Sequence, residues 1–95
     1  MSDFSKTIYE KYSIEIDFSD TFEDSEEISS STVEVLDSSE NDVSTDIIDS
    51  DSSTSTSVIF VVKGGRAGIY DIYVKIISSL GYKYQESKKM RVYKN

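Results

Sequence analysis

Residues 58–70 read VIFVVKGGRAGIY and place a glycine-rich segment between two apolar runs. Both runs have the β-branched and aromatic composition of β-strands. Gly64, Gly65 and Gly68 permit the positive backbone φ angles of a tight corner. Tyr70 begins the second strand, where its ring can lie on the core and its hydroxyl can return to the loop backbone. The stretch therefore predicts a structural corner at which an antiparallel β-sandwich passes from one sheet to the other. The alternative for Tyr70 is an ordinary half-buried strand tyrosine.

Alternation of apolar and polar residues predicts further strands on both sides of this corner. Between residues 12 and 18 every second side chain is apolar, which is typical of a half-buried strand. Similar patterns predict strands over 28–36, 43–48 and 83–93, and polar loops over 37–42 and 49–56. Residues 19–27 suit either a loop or a short helix, with Phe22 over the end of the sandwich. No segment has the period of a helix. We therefore expect an all-β fold, an antiparallel sandwich of about six to seven strands.

The length of the chain, 95 residues, limits it to one domain. We assign residues 12–95 to the sandwich and residues 1–11 to an N-terminal arm. In the arm, Phe4, Ile8 and Tyr9 suit either a short helical turn or an extended segment that docks on a neighbour. A frayed terminus is the third alternative.

The strand before the corner is apolar at every position from 58 to 62, and this bears on its outer face. If Val58, Phe60 and Val62 face the core, Ile59 and Val61 face outward. Either a partner covers these two side chains, or they are present for their β propensity alone. Ile59 and Val61 are therefore candidate partner contacts.

Composition excludes most kinds of catalytic and metal chemistry. The chain has no cysteine, histidine or tryptophan, so thiolate sites, the usual zinc ligands and the commonest general base are missing. Asp46, Asp49 and Asp51 lack the glycine and terminal glutamate of a calcium-binding EF-hand loop, which favours a solvated acidic loop. The glycine-rich corner lacks the Lys-Ser/Thr ending of a phosphate-binding loop and opens a strand. We therefore predict no enzymatic activity, no cofactor, and no catalytic, cofactor-binding or metal-binding residues.

The sequence also lacks signals for membrane insertion and export. No apolar stretch approaches the ~20 residues that span a bilayer. The N-terminus has neither the basic start nor the apolar run of a signal peptide. We therefore expect no membrane partner and no Sec-type export.

Charge is segregated along the chain, which carries a net charge of −8. Residues 12–62 contain 14 carboxylates and no lysine or arginine, whereas residues 63–95 contain 8 basic and 2 acidic side chains. One interpretation is internal complementarity between the early and the late strands. The other is an acidic end and a basic end, suited to head-to-tail contact with a copy of itself or a partner. Nucleic acid is a poor candidate, because the overall charge repels phosphate.

The order of these signals resembles a known family. After GGRAGIY at residues 64–70 comes an SSLG turn at residues 78–81 and a final strand that contains MRV at residues 90–92. Over residues 12–93 this order is similar to small immunoglobulin-like virion proteins of tailed bacteriophages, a group that includes fibre–tail adaptor proteins and head or neck accessory proteins. The resemblance implies an immunoglobulin-like sandwich without enzymatic activity. It also implies a multicopy structural protein of the virion, made in the host bacterial cytoplasm, with portal, neck, tail or fibre proteins as partners in a symmetric assembly.

We therefore expect an adaptor or accessory protein at the tail, neck or fibre junction that acts through protein–protein contacts. The candidate contacts are the outward apolar pair and the basic side chains of the last strand: Ile59, Val61, Lys83, Lys88, Lys89 and Arg91. Three alternatives stay open: a capsid decoration protein, a carbohydrate- or host-binding module, and an inhibitor whose carboxylates mimic DNA. The basic last third of the chain argues against the inhibitor.

Overall fold

The computed structural model describes residues 4–94, which form two packed β-sheets and one helical turn. The elements in chain order are β1 (Phe4–Thr7), β2 (Tyr12–Asp17), β3 (Ile28–Leu36), α1 (Ser44–Ile47), β4 (Ile48–Ser53), β5 (Ser57–Val62), β6 (Gly68–Ser78) and β7 (Lys83–Tyr93). The four-stranded sheet has the order β1-β7-β6-β3, and the three-stranded sheet has the order β2-β5-β4. Every hydrogen-bonded pair is antiparallel except β1 with β7. The predicted all-β sandwich is therefore confirmed.

The core lies between the two sheets and follows from the alternation along the strands. Val58, Phe60 and Val62 of β5 have no exposed surface, as the inward register predicts. β6 buries every second residue from Tyr70 to Ile76 against them. The other buried apolar side chains are Ile16, Phe18, Val33, Val35, Ile47, Met90 and Val92. Burial of this apolar surface is the main force that holds the two sheets together.

The N-terminal segment contributes a strand to the four-stranded sheet. β1 runs parallel to the end of β7, with Phe4 opposite Met90 and Thr7 opposite Tyr93. The pairing continues past the strand, because the Ile8 amide donates to the Tyr93 carbonyl at 2.9 Å. Of the alternatives for this segment, Phe4–Thr7 is thus extended rather than helical, and it pairs with the last strand of its own chain. Residues 1–3 and 95 lie outside the described part.

The prediction for residues 43–56 is wrong in two places. The predicted strand over 43–48 contains the helical turn α1, and the predicted loop over 49–56 contains β4. Asp42 accepts hydrogen bonds from the Ser44 amide and hydroxyl at 2.9 and 2.6 Å just before the turn, and the Asp46 and Ile47 amides close the turn on the Val43 carbonyl. β4 is an edge strand that pairs with β5, and its side chains from Asp49 to Ser53 are all exposed. β4 is therefore a strand by its backbone hydrogen bonds, although its polar composition is typical of a loop.

Candidate partner-binding surfaces

The corner between β5 and β6 carries the chain from the three-stranded sheet to the four-stranded sheet. Gly64, Gly65 and Gly68 have φ angles of 47°, 88° and 153°. The Tyr70 hydroxyl donates to the Arg66 carbonyl at 2.8 Å and accepts from the Arg66 amide at 3.0 Å. The ring of Tyr70 is buried in the core. One side chain thus closes the loop backbone on itself and anchors it between the sheets.

Gly65 is the corner position with the least space. A Cβ atom built on it would lie 2.6 Å from Cδ1 of Ile47, which is fully buried. Gly68, by contrast, has no heavy atom within 4 Å of such a Cβ. The helical turn α1, which the sequence did not predict, therefore packs directly under the corner.

Lys6 ties β1 to the same corner. Its side chain is almost fully buried, and Nζ donates to the carbonyls of Gly64 and Thr7, each at 2.7 Å. Burial lowers the pKa of Lys6 against the smaller opposing effect of Glu10. The sequence prediction missed this residue. The sequence contained one signal for its burial: Phe4, Lys6 and Ile8 occupy alternate positions, so Lys6 shares the apolar face of the extended segment.

The outer face of the three-stranded sheet carries two apolar side chains between polar ones. Ile59 and Val61 of β5 are half-buried. Glu15 of β2 lies directly opposite Ile59, and Asp17 lies two residues further along the same strand. β4 adds only serine hydroxyls beside Ile59 and Val61. We call Glu15, Asp17, Ile59 and Val61 the acidic face.

The outer face of the four-stranded sheet carries basic side chains beside two exposed isoleucines. Arg91 lies opposite Ile69, and Lys83 lies opposite Ile77, at the two ends of β6. Ile69 and Ile77 are 39% and 40% exposed. The Arg91 guanidinium also lies over the Tyr93 ring, 5.7 Å from its centroid. We call Ile69, Ile77, Lys83 and Arg91 the basic face.

The candidate contact residues therefore divide between opposite sides of the sandwich. Ile59 and Val61 lie on one side, and Lys83 and Arg91 on the other. Lys89 shares the side of Arg91 and forms an ion pair with Asp71 at 3.2 Å. Lys88 lies opposite the buried Ile72, so it belongs to the inner register of β7.

Ion pairs neutralise part of the charge along the sandwich. Asp49 contacts Lys11 at 3.1 Å and Lys63 at 3.7 Å, and Glu34 contacts Lys75 at 3.6 Å. The hydrogen bond and the charge of Lys11 lower the pKa of Asp49. Two of these pairs join the acidic and the basic segments of the chain, as internal complementarity requires. Among residues 4–94 no ion pair involves Glu15, Asp17, Lys83 or Arg91.

A buried glutamate organises the end of the sandwich where β6 turns into β7. Glu26 accepts from the Glu23 amide at 2.9 Å and from the Tyr84 hydroxyl at 3.3 Å. A hydrogen bond from the Ser78 side chain is the largest cause of the lowered pKa of Glu26. Phe22 lies beside this network: its ring centroid is 5.8 Å from that of Tyr84, the two rings are tilted by 50°, and the side chain packs against the core.

Within residues 4–94, no three acidic side chains form a group that fits a metal ion. No helix in that range is long and apolar enough to cross a membrane. A groove of about 420 Å³ lies on the basic face and is lined by residues that include Ile77, Lys75 and Lys83. A second groove, of about 500 Å³, lies beside the corner and is lined by Asp46, Ile47 and Arg66 among others.

These features describe an all-β sandwich whose two outer faces differ in charge, one acidic and one basic. The family model described as "Podophage GP4 fiber-tail adaptor protein gp77" matches residues 6–91. The chain belongs to this family of phage fibre–tail adaptors, which confirms the resemblance to the fibre–tail adaptor type.

A solved structure has a similar fold. The crystal structure of CopC from Methylosinus trichosporium OB3b aligns with a TM-score of 0.54 at 15% identity, over 72% of this chain. The alignment spans 66% of the CopC chain, slightly less than two thirds. At this identity the likeness concerns the fold alone. The comparison with curated proteins gave no match.

Proposed function

We propose that this chain is a non-enzymatic structural protein of the phage virion that joins fibre to tail through protein–protein contacts. The observation that carries the proposal is the family match over residues 6–91, which includes all but the first two residues of β1 and the last two of β7. An adaptor binds two different partners at once. The acidic and basic faces, on opposite sides of one sandwich, are suited to that task.

We also propose that the sandwich is immunoglobulin-like. The orders β3-β6-β7 and β2-β5-β4 correspond to the CFG and BED groups of an immunoglobulin domain. Tyr70 lies near the start of β6, and its hydroxyl donates to the Arg66 carbonyl in the preceding corner. A tyrosine corner has the same arrangement at the start of strand F. The adaptor proposal does not depend on this assignment.

We propose tail and fibre proteins as the partners, and we propose that neither nucleic acid nor membrane is a partner. Candidate contacts on the acidic side are Ile59 and Val61. On the basic side they are Lys83, Lys89 and Arg91, and Lys88 lies nearby on the inner register of the same strand. The net charge of −8 opposes binding to phosphate.

A phage that lacks this gene tests the proposal. Particles made without the chain should have filled heads and tails but no fibres, and wild-type protein supplied in trans should restore them. Complementation with Ile59→Asp and Lys83→Glu should fail, whereas Lys94→Glu, on an exposed residue outside both faces, should restore fibres. Fibre-bearing particles from the deletion phage would overturn the proposal. Particles without tails would indicate a neck or portal role instead.

A further inference from the structure

We propose that the acidic face of one copy binds the basic face of a second copy, so that the chain associates with itself head to tail. The inference rests on the adaptor role for its setting and adds self-association to it. Within the assembly the two faces then bind neighbouring copies, and the edge strands of the two sheets and the faces of terminal copies stay available to tail and fibre proteins. The observation that supports the inference is a pair of an outward isoleucine and a charged side chain on each face. The charge is negative on the acidic face and positive on the basic face.

On each face an outward isoleucine has one charged side chain directly opposite it on the neighbouring strand. On the acidic face the pair is Ile59 and Glu15, and on the basic face it is Ile77 and Lys83. Side chains directly opposite each other in antiparallel strands have Cβ atoms about 4.5–5.5 Å apart. When Ile59 packs on Ile77 in the orientation that also places β2 over β7, Glu15 comes within reach of Lys83.

The charges of these pairs are available for such a contact. Among residues 4–94, neither Glu15 nor Lys83 takes part in an ion pair. Both side chains lie in exposed residues, while Ile59 is half-buried and Ile77 is 40% exposed. Contact would remove apolar surface from water and bring opposite charges together, which is the combination that specific interfaces use.

The sides of the molecule that carry the two faces have room for a standard interface if the contact includes the flanking loops. The molecule measures 44 × 23 × 22 Å, so one whole side of it, strands and flanking loops together, extends over at most about 1,000 Å². A standard protein interface buries about 800 Å² on each partner. The groove of about 420 Å³ beside Ile77 and Lys83 gives the basic face a concave region for a protruding side chain.

A second copy fits better than an unrelated acidic or basic protein, because both halves of the complementary pair are present on one chain. The two faces are different surfaces on opposite sides of the sandwich, so the contact is heterologous. A bound pair of copies leaves one acidic and one basic face free for further copies. Such contacts produce a closed ring or an open filament rather than a two-fold dimer.

Sedimentation velocity on the full chain tests this arrangement through a charge swap. Wild type should associate beyond the dimer, more weakly as salt rises. Glu15→Lys and Lys83→Glu should each weaken association by about tenfold or more, because each places like charges opposite one another. The double variant Glu15→Lys with Lys83→Glu should recover most of the association, since it restores opposite charges.

Matched charge changes away from both faces are the control. Asp46→Lys and Lys94→Glu alter the net charge equally, and both should associate like wild type. Circular dichroism should show that every variant is folded. A monomeric wild type would overturn the proposal, as would a double variant no better than the single ones. A dimer that does not grow would indicate a two-fold contact and would also contradict it. None of these results bears on the fibre phenotype of the deletion phage.

Discussion

Replacing Gly65 with alanine probes the packing of α1 under the corner. The new Cβ would lie 2.6 Å from Ile47 Cδ1, and the residue would have to keep a φ of +88°. Left-handed backbone costs a residue with a Cβ about 1–2 kcal/mol, and overpacking of a core costs about 1–3 kcal/mol. Gly65→Ala should therefore destabilise the protein by about 2–5 kcal/mol.

Gly81→Ala is the matched control for the backbone contribution. Gly81 has a φ of +82°, and its Cβ would meet no atom within 4 Å. This variant should lose only the backbone part, about 1–2 kcal/mol. The difference between the two glycine variants thus isolates the contact with Ile47.

Ile47→Val removes the Cδ1 atom that the new methyl group would meet. Alone it should cost about 0.5–1.5 kcal/mol, as a truncated core side chain. Combined with Gly65→Ala it should relieve the overlap, so that the double variant is about 1–3 kcal/mol more stable than the sum of the single effects predicts. Urea denaturation followed by circular dichroism measures all four stabilities. Additive effects of Gly65→Ala and Ile47→Val would refute the packing argument.

Three further variants test other contacts of the fold. Tyr70→Phe removes the two hydrogen bonds to the Arg66 backbone while it keeps the ring, so urea denaturation should show a loss of about 1–3 kcal/mol, and no loss would mean that water replaces the hydroxyl. Lys6→Met leaves the carbonyls of Gly64 and Thr7 without their buried donor and should cost about 1–3 kcal/mol in the same assay, whereas a gain in stability would show that burial of the ammonium outweighs its bonds. Glu26 has a pKa below its usual 4.5, so the unfolded chain takes up its proton first and the stabilisation is lost as the pH falls below that value. Glu26→Gln should be less stable at neutral pH and lose less stability on acidification, and equal acid sensitivity of the two proteins in thermal denaturation at a series of pH values would contradict this.

The strands with clear alternation were predictable from sequence, and the strand defined by backbone pairing was not. The predicted bounds 28–36 and 83–93 coincide with β3 and β7, since turn residues follow Leu36 and precede Lys83. β4 has no apolar alternation because its side chains are exposed, and its hydrogen bonds to β5 depend on tertiary placement. The buried Lys6 ammonium depends on a hydrogen bond to the Gly64 carbonyl, 58 residues away. The local sequence pattern does not indicate a contact between residues so far apart.

The candidate contact residues show the same limit. The sequence separates acidic from basic segments, but adjacency of strands decides which side chains share a face. Ile59 lies beside Glu15 because β2 pairs with β5, and Ile77 lies beside Lys83 because β6 pairs with β7. Lys88 and Lys89 are neighbours in sequence yet belong to opposite registers of one strand.

Cryo-electron microscopy of purified virions tests the adaptor role most directly. The chain should account for density of about 44 × 23 × 22 Å between the tail and the base of the fibres, with its two broad faces in contact with neighbouring proteins. Density for this chain on the capsid shell alone, or its absence from the particle, would contradict the role proposed here.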